Sequence, residues 1–361
     1  MLKLNGQIMS KDIVIATVDD GIITDSNQAL LPLFLKKTGD VEGWLNSRAI
    51  DSHRTNSRLL KKALRLTTAD DAELVLKVNG VTITDTYWFR KEESAQTYED
   101  VRFKRNMFDK LALTGDPDSF NQPYSPTPEL TNIGSFEKCW RLEDGKWWMI
   151  KQGGELERFS ELFICRLGQA LKLPMADYQA ENGTIKSPDF TNGASVNYES
   201  AAGLVGSDED YDLNFDVFWK ISPELAEQYL QIIYLDTICF NMDRHTQNYG
   251  VLRDVVSGNI LSMAPNFDNN IALFARGIPK SLARQNDKLI SLFCELLEKD
   301  NRALEFAKQL PVPNKEMIVQ CIEQISILVD HQAVNDFVMN GSDQVQECIL
   351  KLSQQTGMEM R

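Results

Sequence analysis

Residues 138–151 are written as a β-hairpin: KCWRLE, a turn at Asp144-Gly145, then KWWMIK. Strand-forming residues on both sides of an Asp-Gly pair give one of the strongest short-range signals a chain can carry. A second hairpin is spelled by ADYQAENGTIKS around Asn182-Gly183. Between the two, Phe159, Leu162, Phe163, Leu167 and Leu171 recur at helical spacing, which predicts a helix over about 157–171. From Ser222 to the C-terminus the pattern is almost wholly helical, with Ser222 and Pro223 suited to the N-cap and first turn. One interruption, YGVLRDVVSGNILSMAP, reads as two strands joined across Ser257-Gly258. Strands gathered in one stretch and helices in another predict an α+β fold with a small β-rich lobe and a mainly helical C-terminal lobe.

Ahead of these lies an extra N-terminal α/β unit. DIVIAT at 12–17 suggests a short strand, segments 27–37, 41–49 and 53–66 show helical spacing, and Thr68 with Asp71 resembles a capping pair before AELVLKV, which Asn79-Gly80 closes. Residues 1–115 are therefore read as a mixed, mainly helical unit. The stretch 114–130 holds four of the chain's 12 prolines and reads as a linker or exposed crossing. The expected division is 1–115, 116–200 and 201–361. An acidic run, GSDEDYDLNFD at 206–216, is expected to be a solvated loop.

Bulk properties exclude several functions. With 52 acidic against 38 basic residues the net charge is −14, so nothing draws the whole molecule to a phosphate backbone. The most basic stretch, RTNSRLLKKALR at 54–65, reads as an amphipathic helix with a solvated basic face. No run nears the roughly 18 apolar residues of a membrane span, and the N-terminus lacks the apolar core of a secretory signal. Six scattered cysteines without a CxxC pair suit buried free thiols of a reducing compartment, so a cytoplasmic location is expected.

One polar cluster breaks this bland picture. IIYLDTICF, built for burial, runs directly into NMDRHTQN, with Asp243, Arg244 and His245 in succession and Asn248 five residues after Asp243. The order of elements is the bilobal plan of a protein kinase, and this loop lies where the catalytic loop would. Phosphoryl transfer needs a carboxylate to orient the attacking hydroxyl, an amide oxygen and a carboxylate on magnesium, and a lysine on the phosphates. Asp243 and Asn248 have the offset of the kinase catalytic Asp and Asn. Asp268, in APNFDNN, follows the hairpin that starts after Asn248, so it is the candidate metal carboxylate. Lys151 ends the second strand of the first hairpin, in alternation with Trp147 and Met149. Glu161 is the expected partner of Lys151, with Glu155 and Glu157 competing. Gly134 and Ser135, in TNIGSFEK, could offer backbone N–H groups to phosphate oxygens. His245, without a second ligand at metal spacing, reads as a residue packing the loop, and Arg244 as the partner of a nearby carboxylate. Trp147 and Trp148 are read as the core and surface faces of a strand.

These residues carry a resemblance. NMDRHTQN with APNFDN, preceded by GSFEKCW, KWWMIKQGG and SELFICRLGQALKLP, resembles the HipA-like family of bacterial serine/threonine protein kinases over about residues 128–300. WFRKEESAQTYEDVRF at 88–103 also resembles the front unit of shorter, stand-alone members. The resemblance implies ATP and Mg²⁺ as cofactors, Asp243 as catalytic aspartate, Asn248 and Asp268 as metal ligands, Lys151 on the phosphates and DFTN at 189–192, with Phe190, at the adenine. It implies a protein substrate carrying Ser or Thr, and relatives that act as toxins beside a DNA-binding antitoxin. The chain departs from the family at NMDRH, usually NTDRH, and at Asp268-Asn269-Asn270, where the family's Asp-Asn-Gly would supply a conformationally free glycine. The family's autophosphorylated serine has its nearest counterparts at Thr131 and Ser135. A small-molecule kinase and an inactive nucleotide-binding module are the competing readings.

Overall fold

A computed structural model describes residues 3–359 except 53, 55, 69 and 280, with side chains described up to residue 355. In chain order the elements are β1 (Gly6–Ser10), β2 (Ile13–Asp19), β3 (Ile22–Ser26), α1 (Leu33–Thr38), α2 (Val41–Asn46), α3 (Ser57–Ala63), α4 (Asp71–Val75), β4 (Tyr87–Lys91), α5 (Tyr98–Val101) and α6 (Asp109–Thr114). There follow β5 (Lys138–Glu143), β6 (Lys146–Lys151), α7 (Glu155–Ala170), β7 (Gln179–Glu181), β8 (Thr184–Pro188), β9 (Val196–Ser200), α8 (Ala202–Val205), α9 (Tyr211–Ile221) and α10 (Pro223–Cys239). The chain closes with β10 (Gly250–Asp254), β11 (Ile260–Met263), α11 (Lys288–Lys299), α12 (Asn301–Ala307), α13 (Lys315–Glu323) and α14 (His331–Glu359). Among the described residues no helix is long and apolar enough to cross a membrane.

By packing the chain falls into two compact units: residues 1–152, 179–199 and 251–261, and residues 153–178, 200–250 and 262–361. One boundary between the units falls at 199/200, next to the one expected after 200, whereas none falls at 115, and the reason there is burial. Thr127 to Thr131 are all buried, and Glu129 is wholly enclosed. The proline-rich stretch therefore crosses the surface, as expected, with Phe120 and Tyr124 exposed, but ends inside the first unit.

The first unit is less helical than its sequence suggested. An antiparallel sheet of order β3-β2-β1-β4 forms its base, and only β2 was legible as a strand. Period-two alternation gives this sheet two covered faces. Ile8, Tyr87 and Phe89 point into a core with Leu35, Trp44 and Val75, while Met9 and Trp88 join Leu60, Leu111, Leu130 and Trp140 on the other side. A second antiparallel sheet, β5-β6-β8-β7, is tied to this core: Trp140, Trp147 and Met149 pack on it, whereas Cys139, Ile150 and Trp148 pack with Ala112 and Leu113 of α6. Both faces of β6 are thus covered, and Trp148, expected on a surface face, also carries the Lys186 ammonium 4.8 Å from its ring centroid.

The short helices start where local chemistry favours them. Asp70, not Thr68, caps α4 by accepting the Glu73 N–H at 2.9 Å, and the segment closes with Asn79 (φ 55°) and Gly80 (φ 71°) left-handed. The basic stretch 54–65 holds only the seven-residue α3, and Arg54 is not on a solvated face: it is 1% exposed. A third sheet, β11-β10-β9, supplies Arg253, which pairs with Glu199 and donates to the carbonyls of Ala29 and Leu31. Its turn uses Gly258 (φ 73°) because a Cβ there would lie 2.0 Å from Ala29 O.

The second unit is helical. α10 is buried nearly all round, from Leu225 to Cys239, as its apolar sequence requires. Ser222 accepts the Leu225 N–H at 3.2 Å and Pro223 occupies the first turn, as expected. The acidic run at 206–216 is not a loop throughout: Asp210 caps α9, and Asp212 and Asp216 sit on that helix paired with Lys299, Lys220 and Arg302. All six cysteines are free; Cys139, Cys165, Cys239 and Cys321 are buried, and Cys294 and Cys348 half-buried.

Candidate active site

The polar loop begins where α10 stops. Phe240 takes left-handed backbone (φ 58°), rare for a bulky residue, and its ring meets Phe337 edge-on at 5.9 Å with the Arg284 guanidinium 5.3 Å from its centroid. This turns the chain out of the helix. Asn241 then accepts the Asp243 N–H at 3.1 Å and donates to Asp236 at 2.9 Å.

Arg244 organises everything that follows. Its side chain is 3% exposed and its partner Asp236 1%. Nε donates to Asp236 Oδ2 at 2.8 Å and Nη2 to Oδ1 at 2.9 Å, the bidentate fork that suits a guanidinium. Nη1 donates to the carbonyls of Asn248 and Phe267, both at 2.6 Å. Nη2 also reaches Asn266 Oδ1 at 2.9 Å and Asn269 Oδ1 at 2.7 Å. Burial opposes its charge, but the Asp236 carboxylate outweighs that and raises the guanidinium further above its ordinary range. One buried side chain therefore joins the loop bearing Asp243 and Asn248 to the loop bearing Asp268.

Asp243 is half-buried. Burial raises its carboxyl above the ordinary aspartate value, His245 lowers it and Asp268 raises it, so the two carboxylates feel each other. Asn248 spends its amide N–H₂ on Asp243 O at 2.9 Å, which leaves Oδ1 as the atom a cation would take. Asp268 donates its N–H to Tyr178 Oη at 3.5 Å. It is itself left-handed (φ 62°), whereas Asn269 and Asn270 have no positive φ. The missing glycine after Asn269 consequently has no conformational cost here. His245 Nδ1 accepts the Gln247 N–H at 3.3 Å, a contact within the loop.

Of the three glutamates on α7, Glu161 is wholly buried, Glu155 is exposed and Glu157 caps its own helix through Gly154 N. Within its unit Glu161 accepts the Asn269 N–H at 2.9 Å, directly beside Asp268. Ser160 adds a bond to Ala272 O at 2.8 Å, so α7 holds the Asp268 loop at two points.

In the first unit Lys151 is 6% exposed at the end of β6, directly across the ladder from Lys138 of β5, itself 9% exposed. Cross-strand partners share a sheet face, so two cations lie side by side. Gly134 has φ 111°, and a Cβ added there would fall 2.2 Å from Lys138 Nζ, so the ammonium rests on the glycine of the candidate phosphate loop. Ser135 is exposed; Thr131 is buried and donates to Val81 O at 2.7 Å. As an autophosphorylation position Thr131 is thus closed off. Phe190 packs edge-on to Tyr198 at 5.6 Å, in a turn where Asp189 accepts from Thr191 and Gly193. Burial raises the Asp189 carboxyl.

The donor set can be weighed for a cation. Among the described residues no three His, Cys, Asp or Glu side chains form a metal cage. Asn248 and Asp268 offer one amide oxygen and one carboxylate. That suits a hard, oxygen-seeking ion such as Mg²⁺, which takes one or two carboxylates and completes its shell with phosphate oxygens and water.

Sequence reasoning missed Lys138, Asp236, Asn241, Asn266, Asn269 and Tyr178. Asp236 had a signal, since a charge inside IIYLDTICF has to be paired. Lys138 also had one, from hairpin register opposite Lys151.

No protein-family model matches the chain, and no curated protein matches it by sequence. Among solved structures, the HipA of Shewanella oneidensis MR-1, determined with HipB and operator DNA, aligns with TM-score 0.59 and 13% identity over 96% of this chain and 97% of that one. A proinflammatory kinase of Helicobacter pylori, CtkA, aligns with TM-score 0.46 and 16% identity over 62% of this chain and 94% of that one. The likeness over nearly the whole length of both chains shows that this protein has the α+β, kinase-like fold of HipA.

Proposed function

We propose that the chain is an ATP- and Mg²⁺-dependent serine/threonine protein kinase. The observation that carries this reading is the Arg244 knot, which gathers Asp243, Asn248 and Asp268 through two adjoining loops. Asp243 orients the substrate hydroxyl and accepts its proton as the oxygen bonds to the γ-phosphorus and ADP leaves. Asn248 Oδ1 and the Asp268 carboxylate hold the metal, which neutralises phosphate charge. Lys151 faces the phosphates, the Gly134-Ser135 segment offers them backbone N–H groups, and Phe190 lies at the adenine. Such catalysis is chiefly positioning and electrostatics, which a buried, hydrogen-bonded scaffold supplies.

The natural substrate is proposed to be a protein with an accessible Ser or Thr. A DNA-binding antitoxin is a proposed partner, since the Shewanella HipA was determined with HipB and operator DNA. Incubation with Mg-ATP and candidate proteins, followed by mass-spectrometric mapping, tests activity and residue class together. Phosphoserine or phosphothreonine that disappears in Asp243→Ala is expected. Undiminished label in that variant would overturn the assignment.

A further inference from the structure

The loop that carries Gly134 has its two ends held by one buried guanidinium. Arg54 Nη1 donates to Asn132 O at 3.4 Å, and Nη2 donates to Lys138 O, the first residue of β5. Between them run residues 133–137, with Ile133 42% exposed and Ser135 exposed. Nη2 also reaches Ala112 O at 3.3 Å and Glu129 Oε2 at 3.5 Å, and both side chains of that ion pair are fully buried. Glu129 in turn accepts from Asn132 Nδ2 at 3.0 Å, Asn106 Nδ2 at 2.7 Å and the Trp140 N–H at 2.8 Å.

Arg54 and Glu129 thus bond the residue before the loop, the residue after it and the strand it leads into. A buried ion pair contributes little net stability compared with apolar residues of the same volume. What it supplies is direction: a fork and a carboxylate impose angles on their partners that packing alone does not.

We infer that Arg54 and Glu129 are positioning residues that set the geometry of the 133–137 loop and, through it, affinity for the phosphates of a nucleotide. The inference rests on the kinase reading for its ligand but not for its structural half. The test uses the full chain carrying Asp243→Ala, in which nucleotide binds without turnover, with and without the pair Arg54→Met and Glu129→Gln. Removing both charges leaves neither one buried alone. Three quantities are read: hydrogen exchange over 132–138 without nucleotide, the Kd of Mg-ATP, and the Kd of adenosine, which lacks phosphates.

Faster exchange over 132–138 is expected, with Mg-ATP affinity falling roughly tenfold, the loss that follows from misaligned charge-assisted bonds. Adenosine affinity should change less than twofold. A parallel loss for adenosine would mark a general structural defect and overturn the inference. Unchanged exchange would overturn it too, as would faster exchange with unchanged Mg-ATP affinity. If the parent protein exchanges normally yet binds no Mg-ATP, the kinase reading fails and the affinity half fails with it, whereas the exchange comparison still decides the structural half.

Discussion

Asp236→Ala isolates the device that joins the loop bearing Asp243 to the loop bearing Asp268. The substitution deletes both bonds to Arg244 and the one from Asn241, while leaving a guanidinium that is 3% exposed without its counter-charge. Breaking one partner of a buried pair costs about 3–5 kcal/mol, because the surviving charge stays desolvated. In a unit of this size each kcal/mol shifts the melting temperature by about 2–4 °C, so a drop on the order of 10 °C is expected. Asp236→Asn should fall between, since it keeps the shape and one acceptor but loses the charge. As a control, Asp212→Ala removes the partner of Lys299, whose side chain is 59% exposed, and should leave the melt unchanged. The assay is thermal unfolding with and without Mg-ATP, followed by phosphotransfer at a temperature where each variant is folded. A melt of Asp236→Ala within about 1 kcal/mol of the parent would refute the reasoning, for it would mean that the remaining carbonyl and amide acceptors suffice to hold Arg244.

Other outcomes follow from the same geometry. On the proposed kinase reading, Asp268→Ala should abolish most of the thermal stabilisation by Mg-ATP, which a binding parent would show as about 2.7 kcal/mol at a hundredfold excess over Kd; equal stabilisation in the variant would refute the proposed metal role of Asp268. Glu129 is expected to make stability pH-dependent. Burial is the largest influence on its carboxyl and raises it from the ordinary 4.5 to about 7, against the opposing pull of Arg54. The folded state then binds the extra proton, so this contribution falls as pH rises from about 4.5 to about 7 and is level above that. The stability difference between the parent and Glu129→Gln should shrink over that window, and a difference that grows with pH would contradict it. If the chain phosphorylates itself within 131–135, mapping should find the phosphate on exposed Ser135; label on Thr131 would show that the 3-10 turn at Pro128–Thr131 opens. Ser222→Ala, which deletes the cap of α10, should cost about 1 kcal/mol in chemical denaturation, and no loss would mean that Pro223 alone starts the helix.

What the sequence by itself determined is whatever short-range chemistry decides. The hairpins at Asp144-Gly145 and Asn182-Gly183, the start of α10 at Ser222 and the strands on either side of Ser257-Gly258 all rest on turn residues and periodicities within a few positions of one another. The offset from Asp243 to Asn248 was legible for the same reason, since five residues of one loop cannot separate far. Only the tertiary structure decided the rest. Strands β1, β3 and β4 were missed because a strand's pairing partners need not lie near it in sequence, and β4 pairs with β1 across some eighty residues of chain. The expected linker at 114–130 ends in a buried turn because Glu129 meets Arg54, 75 positions away. Arg244 shows the division most plainly. A nearby carboxylate was foreseen for it, but its bonds to Asn266, Phe267 and Asn269 depend on a hairpin folding back to bring the two loops together. A buried guanidinium has to find acceptors away from water, and which acceptors are within reach is a property of the packed chain, not of any window of sequence.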